Sequence, residues 1–234
     1  MFSIDPVIPN NRYELILWEL KPFGTSKVIA KDSTNTFSAP IWSPDGNKII
    51  FFERVFGNTN GKPFLFDLQS NRLTALTFSG VIAGTKLGWS PDGKSIALGM
   101  TTQQGAGLYL YNVDSKNVKL VTSTPQNPAN VVRSPDGKMI VFALFKQLPG
   151  YLFSEELPLL DVTTARTSII QEGGLGTLNS YNAVWSPDSK NIAFFTNAEN
   201  DHFLLKIYNV TTSQSFEQNI PGLYSDRSIS ITAP

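Results

Sequence analysis

Few residues in this 234-residue chain are suited to chemistry, and their types and spacing narrow what it can do. There is no cysteine, which excludes disulfides, thiolate metal sites and a cysteine nucleophile. The single histidine, His202, cannot make a multi-histidine metal site, and no residue pattern supplies it with a partner as a catalytic base. Aspartates 45, 92, 136 and 188 recur in one sequence context, but one carboxylate per separate hairpin cannot supply the 6–8 clustered oxygens of a calcium site. Turn capping is the simpler role for them. Asp32, Glu172 and Asp226 could serve glycoside chemistry, which needs converging carboxylates. They stand 10, 13 and 6 residues before the repeat positions described next, so the spacing does not bring them together. Trp42, Trp89 and Trp185 recur at one position and could form a stacking ring; packing between repeats is the expectation for large aromatics placed this way. Asn209-Val210-Thr211 is a glycosylation sequon inside a strand pattern, read as a chance match. Gly173-Gly174-Leu175-Gly176 precedes no helix and reads as a loop.

The elements that must position these residues are set by an internal repeat. Trp42-Ser43-Pro44-Asp45-Gly46, Trp89-Ser90-Pro91-Asp92-Gly93, Arg133-Ser134-Pro135-Asp136-Gly137 and Trp185-Ser186-Pro187-Asp188-Ser189 begin 47, 44 and 52 residues apart, each followed by an apolar run. A second element follows each copy: Leu65-Phe66-Asp67-Leu68, Leu110-Tyr111-Asn112-Val113, Leu159-Leu160-Asp161-Val162 and Ile207-Tyr208-Asn209-Val210. A further short strand is expected over 73–77, 118–122, 167–170 and 215–219. Proline presets φ, aspartate bonds to the backbone two residues on, and glycine accepts positive φ. No segment carries a helical period. The class expected is all-β, with four-stranded units of the kind that form β-propeller blades.

The Trp-Ser-Pro-Asp-Gly-x-x-Ile-Ala-Phe pattern resembles the TolB-like (PD-type, WD-repeat-like) β-propeller repeat over about residues 37–220. The resemblance implies a bacterial, extracytoplasmic setting like that of periplasmic TolB. It also admits the accessory propellers of prolyl-oligopeptidase relatives. Their Gly-x-Ser-x-Gly nucleophile turn is absent here. In propellers the ligand usually sits on the face opposite the first hairpin turn. The connections expected there are 53–62, 101–107, 145–156 and 196–203 within blades, and 31–38, 78–86, 123–130 and 171–181 between them. The residues singled out for partner binding are Phe56, Phe145, Lys146, Tyr151, Phe153, Asp201, His202 and Phe203, aromatics mixed with charges as at a protein-binding rim.

Lys+Arg and Asp+Glu balance at 19 each, so no basic field draws nucleic acid or anionic lipid. No apolar window reaches membrane-span length, and residues 1–6 lack a signal-peptide pattern. Ser, Thr and Asn total 59, a neutral polar composition that leans towards a periplasmic or extracellular setting. The ends look complementary. Residues 1–4, 17–20 and 25–30 match second, third and fourth strands, and 228–234 matches a first strand. One domain over 1–234 is expected, most simply a monomeric five-bladed ring whose last blade is shared between the termini; a fragment of a longer propeller is the alternative. The function expected is a noncatalytic protein- or peptide-binding scaffold without cofactor or metal. The alternatives are an accessory hydrolase propeller or a five-bladed carbohydrate-active enzyme.

Overall fold

The computed structural model describes residues 3–8, 12–18, 24–38, 40–55, 61–82, 86–147, 153–172, 183–197 and 203–220. An N-terminal sheet runs β1 (Ser3–Ile8), β2 (Arg12–Trp18), β3 (Ser26–Asp32). Blade one has its inner strand in two pieces, β4 (Asn35–Phe37) and β5 (Ile41–Trp42), both on β6 (Lys48–Val55), followed by β7 (Lys62–Asp67) and β8 (Arg72–Ala75). After the short β9 (Val81–Ile82), blade two holds β10 (Gly88–Trp89), β11 (Ser95–Thr102), β12 (Gly105–Asn112) and β13 (Val118–Ser123). Blade three holds β14 (Ala129–Arg133), β15 (Met139–Gln147), β16 (Phe153–Asp161) and β17 (Thr167–Gln171). Blade four holds β18 (Val184–Trp185), β19 (Asn191–Asn197), β20 (Phe203–Asn209) and β21 (Gln214–Ile220). Neighbouring strands within each blade pair antiparallel, and the described residues contain no helix. This is the all-β architecture of four-stranded propeller blades that the repeat implies. The expected first strand over 228–234 lies outside the described residues.

The second strand of each blade is its most buried part. On β15, Ile140, Phe142 and Leu144 pack with Ala97 and Leu108 of blade two. The alternate residue Val141 packs with Trp185, Ile192 and Phe194 of blade four. Successive side chains point to opposite faces, so a strand packed on both faces must be apolar at every position. Outer strands follow the reverse rule: Gln214–Asn219 of β21 are exposed throughout.

The chain divides into two compact units, Met1–Thr85 and Lys86–Pro234. In the first, Leu15 and Ile29 of the N-terminal sheet join Phe37, Ile49, Phe51 and Phe66 in one core. The Phe51 ring meets Phe37 edge-on at 5.6 Å and stacks on Phe64 at 5.7 Å. In the second unit, blades two to four share the two clusters described for β15.

Candidate partner-binding face

Each blade has two unlike ends. At one end the repeat closes its first hairpin around a buried serine. The hydroxyls of Ser43, Ser90, Ser134 and Ser186 donate to Asp45, Asp92, Asp136 and Asp188 at 2.6, 2.6, 2.6 and 2.5 Å. The same oxygens accept the amides of Lys48, Ser95, Met139 and Asn191 at 2.8, 2.8, 3.0 and 2.9 Å. Each aspartate also accepts the amide two residues on, at 3.0–3.1 Å, as the motif predicts. Gly46, Gly93 and Gly137 take φ of 71, 67 and 75°, and Ser189 adopts 60° in their place. These bonds, the serine hydroxyl first, hold all four carboxyls below the ordinary range, Asp45 at about 2. The aspartates therefore stay ionised as turn caps.

The second repeat element joins the same end. Asp67, Asn112, Asp161 and Asn209 cap the outer hairpin by accepting amides two or three residues on. The next residue's amide then bonds back to the first hairpin: Leu68 to Asn47 O, Val113 to Lys94 O, Val162 to Lys138 O, and Val210 to Lys190 O, at 2.8–2.9 Å. Both turns of a blade are thus tied together, and the connection between second and third strands is left at the opposite end. Asn209 of the sequon spends its side chain on this cap and on Asn191, 3.0 Å from its Nδ2. An open groove of about 460 Å³ lies beside the blade-three cap, with Met139 and Leu159 as apolar lining and Asp161, Arg166 and Ser168 as polar lining.

At the loop end, several expectations need correction. Residues 101–107 are no irregular loop: β11 and β12 pair through Thr102↔Gly105, leaving a two-residue turn. The connection expected at 145–156 is shorter, because β15 runs on to Gln147 and β16 starts at Phe153. Phe145, Lys146, Phe153 and Phe203 are therefore strand residues, held by ladder bonds rather than carried on loops. Phe145 is half-buried and pairs with Glu155, which is buried; Lys146 is exposed and pairs with Ser154. Alternation puts Phe145 and Glu155 on the blade face that also carries Val141, Leu157 and Leu159, the face packed against blade four. On β19, buried Thr196 shares its parity with Ile192 and Phe194 of that core. The structure thus draws Phe145, Glu155 and Thr196 to the loop end of one interblade seam, with Lys146 on the other face. Phe56, Tyr151, Asp201 and His202 lie outside the described residues, as do the side chains of Phe153 and Phe203.

Trp89 and Trp185 are buried, and the Trp185 indole N–H donates to Val132 O at 3.3 Å, which fits interblade packing. Trp42 departs from that expectation with 38% exposure, because the first unit's core is built on Phe37, Ile49, Phe51 and Phe66 without it. Arg133, in the tryptophan position, makes a polar tie instead: Nε donates to Gly137 O at 2.9 Å and a terminal nitrogen to Ser95 Oγ at 3.1 Å. Burial lowers its pKa, and the charge of Asp92 opposes that shift. Asp32 accepts the amides of Thr34 and Asn35 at 2.7 and 2.6 Å and is a local cap held below the ordinary range. Among the described residues no group of three or more His, Asp or Glu could hold a metal ion, and no helix is long and apolar enough to cross a membrane. Sequence reasoning missed the buried repeat serine. It was legible, since it stands with Pro and Asp in all four copies of the turn; Glu155 reads as a rim charge, and the structure makes it a buried strand residue.

The family model of the TolB beta propeller domain, PD40, matches residues 9–229. The Tol-Pal system protein TolB of Francisella tularensis subsp. tularensis is 27% identical over 187 residues, 78% of this chain and 40% of that protein. The corresponding protein of subsp. mediasiatica is 26% identical over the same length. The chain thus spans about two fifths of the curated relatives it matches. Among solved structures, TolB from Acinetobacter baumannii superposes with a TM-score of 0.67 at 22% identity, over 90% of this chain and 49% of that one. A chain of a nidogen/laminin complex superposes at 0.56 with 9% identity, over 92% and 90%. Identities this low carry the fold alone.

Proposed function

This chain belongs to the PD40 family of TolB β-propeller domains, and from that premise we propose that it is a noncatalytic module binding a protein or peptide across its loop face. The observation that carries the reading is the contrast between the two ends of a blade. At the turn end every repeat aspartate is committed to a serine hydroxyl and a backbone amide, as a turn cap. At the loop end, strand alternation turns Phe145, Glu155 and Thr196 towards one interblade seam, with exposed Lys146 on the opposite face of the same strand. An aromatic set in a rigid sheet, with a charged rim, is how protein interfaces anchor a partner. The relatives bear the name of the Tol-Pal system, and membership of a multi-component system supports a protein partner for this chain.

The test is a paired capture from the native host. Phe145→Ser with Lys146→Glu is expected to lose the partner recovered by the unaltered chain while unfolding at a similar temperature. A second bait altered at the turn end, Lys190→Glu, should retain it. Equal recovery on all three baits, or loss only from the turn-end bait, contradicts the assignment.

A further inference from the structure

A sheet edge displays unpaired N–H and C=O groups, and natural proteins blunt it with bulges, lysine, proline or short length. The outer strands differ sharply on this measure. β3 carries Lys27 and Lys31 and a register shift. β8 has four residues and begins with Arg72. β13 carries Lys119 and a register shift, and β17 has five residues and a shift. β21 has none of these devices. Its seven residues contain no lysine, arginine or proline, and they pair with β20 without a break from Asn209↔Gln214 to Phe203↔Ile220. Its one charge, Glu217, is matched by Lys206 at 2.9 Å. Phe216, in mid-strand, is 60% exposed. Among the described residues no strand pairs with its outer edge.

We propose that this edge pairs antiparallel with the same strand of a second copy of the chain, with Phe216 facing Phe216 across the two-fold axis. The occupant follows from hydrogen-bond parity and charge. The outer hairpins of blades two and three are closed by bonds from Asn112 N to Asn117 O and from Asp161 N to Arg166 O. Asn209 and Gln214 hold the same place in blade four. Alternation along an antiparallel ladder then turns the backbone groups of Ser215, Glu217 and Asn219 outward. A symmetric pair must match outward residues with outward residues. Centring it on Glu217 sets two carboxylates opposite each other, which is destabilising. Centring it on Phe216 pairs Ser215 with Glu217 and Gln214 with Gln218, with no like charges facing. It also puts the two rings in a non-hydrogen-bonded pair, where side chains come closest. The strand is therefore complementary to itself.

The full chain has no cysteine, so one introduced thiol reports the register directly. Under mild oxidation Phe216→Cys is expected to form a covalent dimer and Gln218→Cys to remain monomeric, since only the first places sulfurs within disulfide reach. In sedimentation velocity the unaltered protein should associate as its concentration rises. Phe216→Lys and Ser215→Pro should each shift it to monomer with an unchanged near-ultraviolet spectrum; proline at 215 removes only an outward amide. A chain that stays monomeric at its highest soluble concentration overturns the proposal. So does covalent dimer from Gln218→Cys in place of Phe216→Cys, or association that both edge variants leave intact.

Discussion

Replacing Ser134 by alanine removes one hydroxyl from the turn between β14 and β15 and leaves every other atom of the turn in place. That hydroxyl donates to Asp136 at 2.6 Å and accepts the Met139 amide at 3.0 Å, and the serine is 2% exposed. Without it the Met139 amide has lost its acceptor beneath the turn, a loss of about 1–3 kcal/mol for a buried donor. Asp136 stands at the surface, where water replaces the missing donor, so the second bond adds under about 1 kcal/mol. The expected total is about 1–4 kcal/mol. At roughly 2–4 °C per kcal/mol for a chain of this size, the melting temperature should fall by about 2–16 °C. Scanning calorimetry measures it. A cycle with Asp136→Ala should show coupling of about 0.5 kcal/mol or more, because the two residues share one bond. A Ser134→Ala protein melting within about 1 °C of the unaltered chain, or strictly additive losses, would refute the turn-centre role.

Glycine substitutions separate close approach from torsional strain. A Cβ on Gly99 would stand 1.7 Å from the Pro128 carbonyl oxygen, whereas one on Gly46 meets nothing within 4 Å. Gly46→Ala should cost about 1–2 kcal/mol for its positive φ, and Gly99→Ala more than about 3 or the fold itself; equal urea midpoints would contradict this. Acid sensitivity follows from the four repeat carboxyls. Their native values lie below those of the unfolded chain, so their contribution is whole above about pH 4 and is lost as pH falls through the native values towards 2. A urea midpoint that stays level between about pH 4 and 2.5 would argue against it. Trp185→Ala should cost about 3–5 kcal/mol and Trp42→Ala clearly less, in line with their burial; similar losses in chemical denaturation would sink the distinction.

Much of the fold was legible because its signals are local. Ser, Pro and Asp in one turn, repeated four times and followed by Gly in three of them, specify a hairpin without help from distant residues. The Asp or Asn closing each third strand marks the second turn of the same end. What escaped was set by pairing. Nothing between Thr101 and Gly107 distinguishes a loop from a hairpin continued to its tip, since Gly and Gln suit both; the ladder from Ser95↔Asn112 to Thr102↔Gly105 decides. Phe145 and Phe153 read as loop aromatics because Lys146 and Glu155 interrupt the apolar pattern, yet the β15–β16 register carries both strands past them. Trp42 shares its motif with Trp89 and Trp185, and its greater exposure is not written in that motif. Of the candidate site, residue types were readable, but which of them share a seam was not.

The most direct test of the loop-face account is a hydrogen-exchange footprint of the captured partner on the full chain. Amides at the loop ends of β15, β16 and β19, around Phe145, Glu155 and Thr196, should slow on complex formation, while those of the Ser134 and Ser186 turns keep their free-state rates. Protection confined to the turn end, with exchange around Phe145 and Thr196 unchanged, would contradict the account.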